Sequence, residues 1–293
     1  MKLQELRHEP LILDYHDPAD ARGASLHAWC CVGHFHTFSH SVWAQGSASC
    51  ACLNLNIILF HPAEVELPLS GNDFRARHIL TVLKRGVGDG FDAGLVNGPR
   101  GKATLSAVGT DGALHLTFAW GAPPAPLAPI HLLVGLPRPQ TARDILREGA
   151  ALGVSAMEFV RTERGESSYA QSSLWSSREW EILLLAGAAQ AFCTRLPEVR
   201  HGRTLAEALA APPSGVRLAL DNYEAAQPLS RAELPAGDAV TIAIGSERGW
   251  TAAERDLLLR RGFLFVHLGE RVLRTETACI AAISLLRAKL GLS

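Results

Sequence analysis

An α/β domain with a mainly parallel sheet, preceded by a small strand-rich region, is the architecture this chain predicts. Three observations predict it. From "IHLLVGLP" onward, short apolar runs alternate with helical stretches, the pattern of strands joined by crossover helices. Between "LNLNIILFHP" and Trp120, short alternating runs are separated by glycine turns, as in a small β-barrel or sandwich. Between the two, "GAPPAPLAP", Gly121 to Pro129, carries four prolines in nine residues, which stiffen the chain and forbid a helix.

Taken in order, residues 1–52 stand apart. They hold Cys30, Cys31, Cys50 and Cys52 with His27, His34, His36 and His40 in a Ser/Ala/His-rich stretch of weak periodicity. Adjacent cysteines and a Cys-x-Cys pair do not match the usual zinc spacings, so no metal site is expected and the segment reads as a poorly ordered extension. Residues 53–120 form the strand-rich region. Leu55 to Phe60 is a short apolar strand closed by Pro62, "GVGDGFDAG" supplies turn residues, and "GKATLSAVG" and "GALHLTFAW" alternate. Within it, "DFRARHILTVLKR" reads as a helix with Phe74, Ile79, Val82 and Leu83 on one face. Its cations Arg75, Arg77, His78, Lys84 and Arg85 are either a solvated face or a local positive patch.

Residues 121–129 are the linker and 130–293 the α/β domain. After the strand "IHLLVGLP", Ala142, Ile145, Leu146, Gly149 and Ala150 make a helical stripe that Gly153 stops. "SAMEFV" is a strand, and Ser176-x-x-Glu179 has the spacing of a capping box before "WEILLLAGAAQAF". "VRLALDN" and "AVTIAIG" are strands, Thr251-x-x-Glu254 caps a further helix, "FLFVHLG" is a strand, and "TETACIAAISLLRAKLG" is a final amphipathic helix.

Composition excludes several classes. An apolar fraction of 47% with 19% charged residues is that of a folded protein. With 28 Lys+Arg against 29 Asp+Glu there is no global basic field, so any nucleic acid must be held by a local patch. No apolar run reaches the ~20 residues that span a bilayer, and the N-terminus lacks the uninterrupted apolar core of a secretory signal. A cytoplasmic protein with reduced cysteines is expected. There is no G-x-G-x-x-G after a strand, no Walker loop, no G-x-S-x-G elbow and no H-E-x-x-H. His131 and His267 read as strand or core histidines, and Cys193 and Cys279 as small core residues.

Two strand ends are unusual. "IGSERGWT" from Ile244 and "HLGERVLRTETA" from His267 each break at a glycine and restart as a helix, with charges at the break. In open α/β sheets, ligands sit beyond the carboxyl ends of strands, where helix N-termini offer free N–H groups. Gly245 and Gly269 would let the backbone approach a ligand, turning with positive φ. Glu247, Arg248, Glu270, Arg271, Arg274 and Glu276 would line a ligand-facing rim, or be solvated loop charges beside a capping Thr275.

These two stretches, with "LREGAALGV", "RLPEV" and "RHILTVLKRGVGD" in that chain, resemble the bacterial ribosomal small subunit methyltransferase E family over about residues 55–293. The Leu-Arg-Thr-Glu-Thr-Ala run is the specific part. The resemblance implies a PUA-like β-barrel that helps hold RNA, then a SPOUT domain with a C-terminal trefoil knot. It implies a homodimer that binds S-adenosylmethionine in the knot and methylates N3 of a uridine in 16S rRNA. Carried onto this chain, the cofactor residues would be Leu220, Gly245, Ser246, Glu247, Gly249, Leu268, Gly269, Leu273, Arg274 and Thr275. Arg274 would stabilise the uridine anion and Glu276 would orient it or take a proton. Arg75, His78, Lys84, Arg85 and Arg195 would contact RNA.

Four departures accompany the resemblance. Gly245-Ser246-Glu247-Arg248-Gly249 stands where the family reads Gly-Pro-Glu-Gly-Gly, and Arg248 is expected at a positive φ that costs a non-glycine about 1 kcal/mol. Ala189-Gln190 replaces Glu-Gln, and Thr141 or Arg143 stands where a Lys is usual. The extension of ~50 residues has no counterpart, as a disordered tail or a misassigned start. An RNA-binding relative with a spoiled cofactor loop, or a SPOUT enzyme with another RNA target, are the competing readings.

Overall fold

The computed structural model describes residues 56–211, 214–235 and 238–292. The Cys/His-rich extension and Leu55 lie outside them. The first sheet holds β1 (Ile58–Phe60), β2 (Gly90–Leu95), β3 (Arg100–Val108) and β4 (Leu114–Trp120) in that order. β1 runs parallel to β2, and the remaining pairs are antiparallel. One face carries the buried Phe60, Ile79, Phe91, Ala103, Leu105 and Leu114.

The helix expected over "DFRARHILTVLKR" is shorter and differently wound. α1 (Phe74–Arg77) passes directly into a π-helical turn over His78–Val82, which ends at Lys84 with φ 51°. The wider turn rotates the later positions off the α-helical stripe. Ile79 is fully buried, whereas Val82, expected beside it, is 54% exposed.

Linker and strand overlap at their boundary. β5 (Ala128–Gly135) takes in Pro129, and its pairing with β6 (Val154–Arg161) is irregular between Ala128 and His131. A proline lacks the ladder N–H, so it enters a strand where the ladder is interrupted. α2 (Pro139–Ala151) joins these strands, and Gly153 follows it with φ 72°, as the stop signal requires.

Beyond β6 lie α3 (Ser173–Ser176), α4 (Glu179–Gln190), β7 (Glu198–Thr204), α5 (Leu205–Ala208), β8 (Val216–Leu220), β9 (Gln227–Pro228), β10 (Val240–Ile244), α6 (Ala252–Arg260), β11 (Leu264–His267) and α7 (Thr275–Lys289). The Ser176-x-x-Glu179 box does not form. Ser176 closes α3, Arg178 takes a left-handed φ of 59°, and α4 starts at Glu179. The Glu179 carboxylate accepts two bonds from the Arg143 guanidinium on α2 instead, at 2.7 and 2.9 Å. A bidentate ion pair between helices is stronger than a neutral cap, and it draws the Glu179 pKa down.

The second sheet is seven-stranded, in the order β7-β6-β5-β10-β8-β11-β9, with every pair parallel. Side chains two apart share a face. Leu132, Val134, Leu218, Ile242, Ile244 and Val266 join the core under α2, α4 and α7, together with Ile145, Leu184, Ala282 and Ile283. Leu133, Ala219, Ala243 and Phe265 belong to a second core with Leu205, Trp250 and Leu258. Both faces are covered, which is why the strands read as continuous apolar runs. α4 serves a third contact: Leu185, Ala188 and Ala189 pack on Leu59 of β1 and on Ile57 just before it.

Candidate functional site at the carboxyl edge of the parallel sheet

The strands β10, β8 and β11 are neighbours, and their ends stand in register: Ile244 opposite Leu220, and Leu220 opposite Val266, one residue before the end of β11. Their carboxyl ends therefore open onto one edge, and the ten proposed cofactor residues lie on the end of β8, on the two loops there and, for Thr275, at the start of α7. Parallel pairing makes this unavoidable, because every crossover returns the chain to start at the far edge.

After β10 the chain makes a tight turn, in which the Gly249 N–H donates to the Ser246 carbonyl at 2.8 Å. Gly249 holds φ 66°, and a Cβ built there meets nothing within 4 Å. Gly245 has no positive φ, contrary to expectation; it is needed for close approach, since a Cβ would lie 3.0 Å from the Gly249 Cα. Arg248 likewise stays out of the left-handed region, so the expected strain is absent. The positive φ falls one residue later, on a glycine the chain retains.

Each end of this loop is anchored. The Glu247 carboxylate accepts from the Arg138 backbone N–H at 2.9 Å and lies 3.6 Å from its guanidinium. The Arg164 guanidinium donates to the Arg248 carbonyl at 3.1 Å. Trp250 is fully buried, and its indole N–H donates to the Leu220 carbonyl at 3.1 Å, which ties the β10 loop to the end of β8. The capping box on α6 forms as expected: Thr251 accepts from the Glu254 N–H, and Glu254 from the Thr251 N–H. Glu254 is 5% exposed and also accepts from the Glu163 N–H at 2.8 Å, so it fastens the loop after β6. Asp221, just past β8, is buried against Arg255 at 2.7 Å.

Gly269 holds φ 117°, again with open space beside its Cα, and its N–H donates to His267 Nδ1. Leu273 and Val272 are exposed, at 37% and 82%. Arg274, not Thr275, is the N-cap of α7, and its side chain makes no capping bond. Thr275 is the buried first residue of the helix, so the first N–H groups of α7 have no side-chain acceptor from the cap. Arg274 is exposed and enters no ion pair with Glu276. Glu276 stands close enough to Cys279 to add to the burial that pushes that thiol far up. The expectation that Glu276 orients Arg274 is corrected accordingly.

The expected RNA contacts divide. Arg75 is 2% exposed and clamped by the Glu64 and Asp73 carboxylates, at 2.8 Å each, and it donates to the Leu59 carbonyl at 3.0 Å. It is a structural ion and not a surface cation. Burial alone would raise the Glu64 pKa, but the Arg75 guanidinium brings it below the ordinary range. His78 is 9% exposed, and burial depresses its pKa, so it is no phosphate contact either. Lys84 and Arg85 are exposed. Arg195 is half-buried and donates to the linker carbonyl of Pro124.

Asp221, Trp250, Arg138 and Arg164 are not among the sequence-based site residues, and Glu254 is among them only as a cap. The ties that matter here, Asp221 to Arg255, Arg138 to Glu247, Arg164 to Arg248 and Glu254 to Glu163, span 34 to 109 residues.

Two features of the edge suit a bound ligand. The Ser246 hydroxyl is buried without a hydrogen-bond partner, and Gly249 and Gly269 leave open space beside the backbone. The class of protein follows from the sequence: residues 123–287 match the family described as RNA methyltransferase domain. A ribosomal RNA small subunit methyltransferase E from Treponema pallidum is 39% identical over 249 residues, 80% of this chain and 91% of that one. One from Borreliella burgdorferi is 29% identical over 244 residues, 81% and 99%. Among solved structures, a ribosomal RNA small subunit methyltransferase E from Neisseria gonorrhoeae, bound to S-adenosyl methionine, superposes with TM-score 0.61 at 26% identity, covering 79% of this chain and 97% of that one. The chain belongs to the ribosomal RNA small subunit methyltransferase E family.

Proposed function

We propose that this protein transfers a methyl group from S-adenosylmethionine to N3 of a uridine in 16S rRNA of the small ribosomal subunit. The observation that carries the reading is the single edge on which Leu220, the Gly245–Gly249 turn and the Leu268–Thr275 loop meet, with a buried hydroxyl unpaired there. When bound, S-adenosylmethionine supplies a sulfonium methyl as electrophile. The residues to hold it are Leu220, Gly245, Ser246, Glu247, Gly249, Leu268, Gly269, Leu273, Arg274 and Thr275. Apolar Leu220, Leu268 and Leu273 exclude water, and the glycines admit the ligand to the backbone.

N3 of a uridine carries a proton and must lose it before it attacks. A nearby cation favours the anion, and exposed Arg274 is suited to that task. Glu276, in the same helical turn, is the candidate acceptor for the proton. The family resemblance further supports a PUA-like barrel for residues 53–120, a linker at 121–129, and a SPOUT domain with a trefoil knot over 130–293. A homodimer is part of the proposal, and the exposed Val272, Ile280 and Leu285 offer it apolar surface. The setting is the cytoplasm, where ribosomal subunits are assembled; among the described residues no helix is long and apolar enough to cross a membrane. Exposed Lys84 and Arg85, between the π-helical turn and β2, remain as the proposed RNA contacts of the first region.

The test is transfer of labelled methyl from S-adenosylmethionine to small ribosomal subunits, with the product nucleoside identified by mass spectrometry. N3-methyluridine at one 16S position supports the reading. Label on another base or on a ribose, or none at all while the cofactor binds, overturns it.

A further inference from the structure

A proline-rich linker over 121–129 suits two units that move apart, yet the residues beside it hold them together. Two turns hook into each other: residues 96–99 between β2 and β3, and residues 191–197 between α4 and β7. We infer that this pair is a rigid joint, with Thr194 as its positioning residue, which sets where along an RNA held by the first region a nucleotide meets the cofactor edge. The inference rests on the functional reading above and names what fixes the register of its substrate.

Four observations carry it. The two turns are bonded in both directions. The Asn97 N–H donates to the Thr194 carbonyl at 2.7 Å, the Thr194 hydroxyl to the Gly98 carbonyl at 2.6 Å, and the Leu196 N–H to the Asn97 side-chain oxygen at 2.9 Å. Asn56 adds a bond to the Gln190 carbonyl at 2.6 Å, and Arg100 one to the Phe192 carbonyl at 3.1 Å. The contact is also a plug in a socket. Thr194 is fully buried, and a Cβ built on Gly94 of β2 would collide with its methyl group, so β2 carries glycine where the threonine enters. Each turn holds one residue in a left-handed conformation, Asn97 at φ 59° and Phe192 at φ 55°. Non-glycine residues stay there only when their surroundings dictate it, as a mutually bonded pair of turns does. Lastly, the linker itself is held: Arg195 donates to the Pro124 carbonyl from two nitrogens, both at 3.3 Å.

The joint is remote from the chemistry. It leads into β7, whose first residue, Glu198, pairs with Ala156 near the start of β6. It therefore lies toward the amino edge of the parallel sheet, and none of the ten proposed cofactor residues belongs to it. An RNA gripped at Lys84 and Arg85 reaches the carboxyl edge over a distance that this joint fixes. Misplacing a reacting group by about 1 Å can cost about 10²-fold in rate, even when the change is made far from the chemistry.

The experiment uses the full chain and compares wild type with Gly94→Ala, the double variant Gly94→Ala/Thr194→Ser, and Thr194→Val. The readouts are S-adenosylmethionine affinity and stoichiometry by calorimetry, affinity for small ribosomal subunits, and the single-turnover rate of methyl transfer with both saturating. Stoichiometry counts folded protein, so lost stability alone cannot imitate a slower saturated rate. Gly94→Ala should keep cofactor affinity within about twofold and lower the saturated rate by about tenfold or more. Serine removes the colliding methyl and keeps the hydroxyl, so the double variant should recover most of that loss. Thr194→Val keeps the plug but not its bond to Gly98, and should slow transfer by about threefold or more. A folded Gly94→Ala with the wild-type rate overturns the inference, as does a double variant no faster than the single one. A fall in cofactor affinity equal to the fall in transfer overturns it too, by placing the effect at the cofactor edge. If Gly94→Ala does not fold, Thr194→Val decides, and an undiminished rate there overturns the inference. If wild type binds the cofactor but modifies no small-subunit RNA, the functional reading itself falls, and this inference with it.

Discussion

Arg75 and Arg274 stand at comparable places, each within the first residues of a helix, and the protein treats them in opposite ways. On the first sheet, Asp73 two residues back and Glu64 on a preceding turn take the Arg75 guanidinium into the interior, where it also lies over the Phe60 ring at 5.1 Å. At the parallel-sheet edge, no carboxylate among the described residues claims Arg274, and it remains in solvent at the head of α7. The difference teaches that a cation's role is set by the acids its fold brings within reach, not by its position on a helix. One arginine holds the structure; the other enters no ion pair among the described residues.

The largest effect should come from breaking the buried member. Arg75→Ala strands two carboxylates, 9% and 25% exposed, and should cost about 3–5 kcal/mol of stability, read by denaturant unfolding. Arg274→Ala should leave stability within about 0.5 kcal/mol and lower methyl transfer by about 10²–10³, well beyond any loss in cofactor affinity. If Arg274→Ala unfolds the protein, or Arg75→Ala spares it, the comparison is wrong.

Trp250→Phe tests the tie between the β10 loop and the end of β8. The ring remains, the Leu220 carbonyl loses its donor, and about 1–3 kcal/mol should go, with weaker cofactor binding by calorimetry. A variant with unchanged stability would mean the carbonyl finds water, and that the edge is looser than its geometry.

Acid should loosen both halves together. Burial depresses the pKa values of His78, His131 and His201, and ion pairing brings Glu64 and Glu179 down. In each case the unfolded chain binds the proton more readily. Stability is therefore complete above the unfolded pKa and lost as pH falls, first below about 6.5 for the histidines and then through the carboxylate range. Melting temperatures measured from pH 8 to 4 should fall monotonically; a rise between pH 7 and 6 would contradict the histidine burial.

Legibility in the sequence followed the range of the interactions. The alternation of strands and helices, the Gly153 stop and the Thr251–Glu254 box are local, and each forms as read. The two glycine breaks fall on one edge, since a parallel sheet sends all its strand ends the same way. What escaped was decided at a distance. Arg75 was lost to Glu64, eleven residues off, and Glu179 to Arg143, thirty-six residues off. Arg164 reaches the Arg248 carbonyl over eighty-four residues. Even the π turn that exposes Val82 changes which residues share a face without changing any residue type.

The smallest expected effect is the most informative about the cofactor loop. A family pattern with glycine in place of Arg248 invites the thought that arginine closes the loop, and Arg248→Gly would then open it. The backbone argues otherwise. Arg248 has an ordinary negative φ, the turn is closed by the Gly249 N–H on the Ser246 carbonyl, and the positive φ belongs to Gly249. Arg248→Gly should therefore change cofactor affinity by less than about twofold and lower stability by about 0.5–1 kcal/mol, because glycine gains freedom in the unfolded chain. Gly249→Ala should do what Arg248→Gly does not, forcing a left-handed Ala at about 1 kcal/mol and weakening the cofactor. A tenfold gain in affinity from Arg248→Gly would reverse this assignment, and make the natural arginine a barrier across the site.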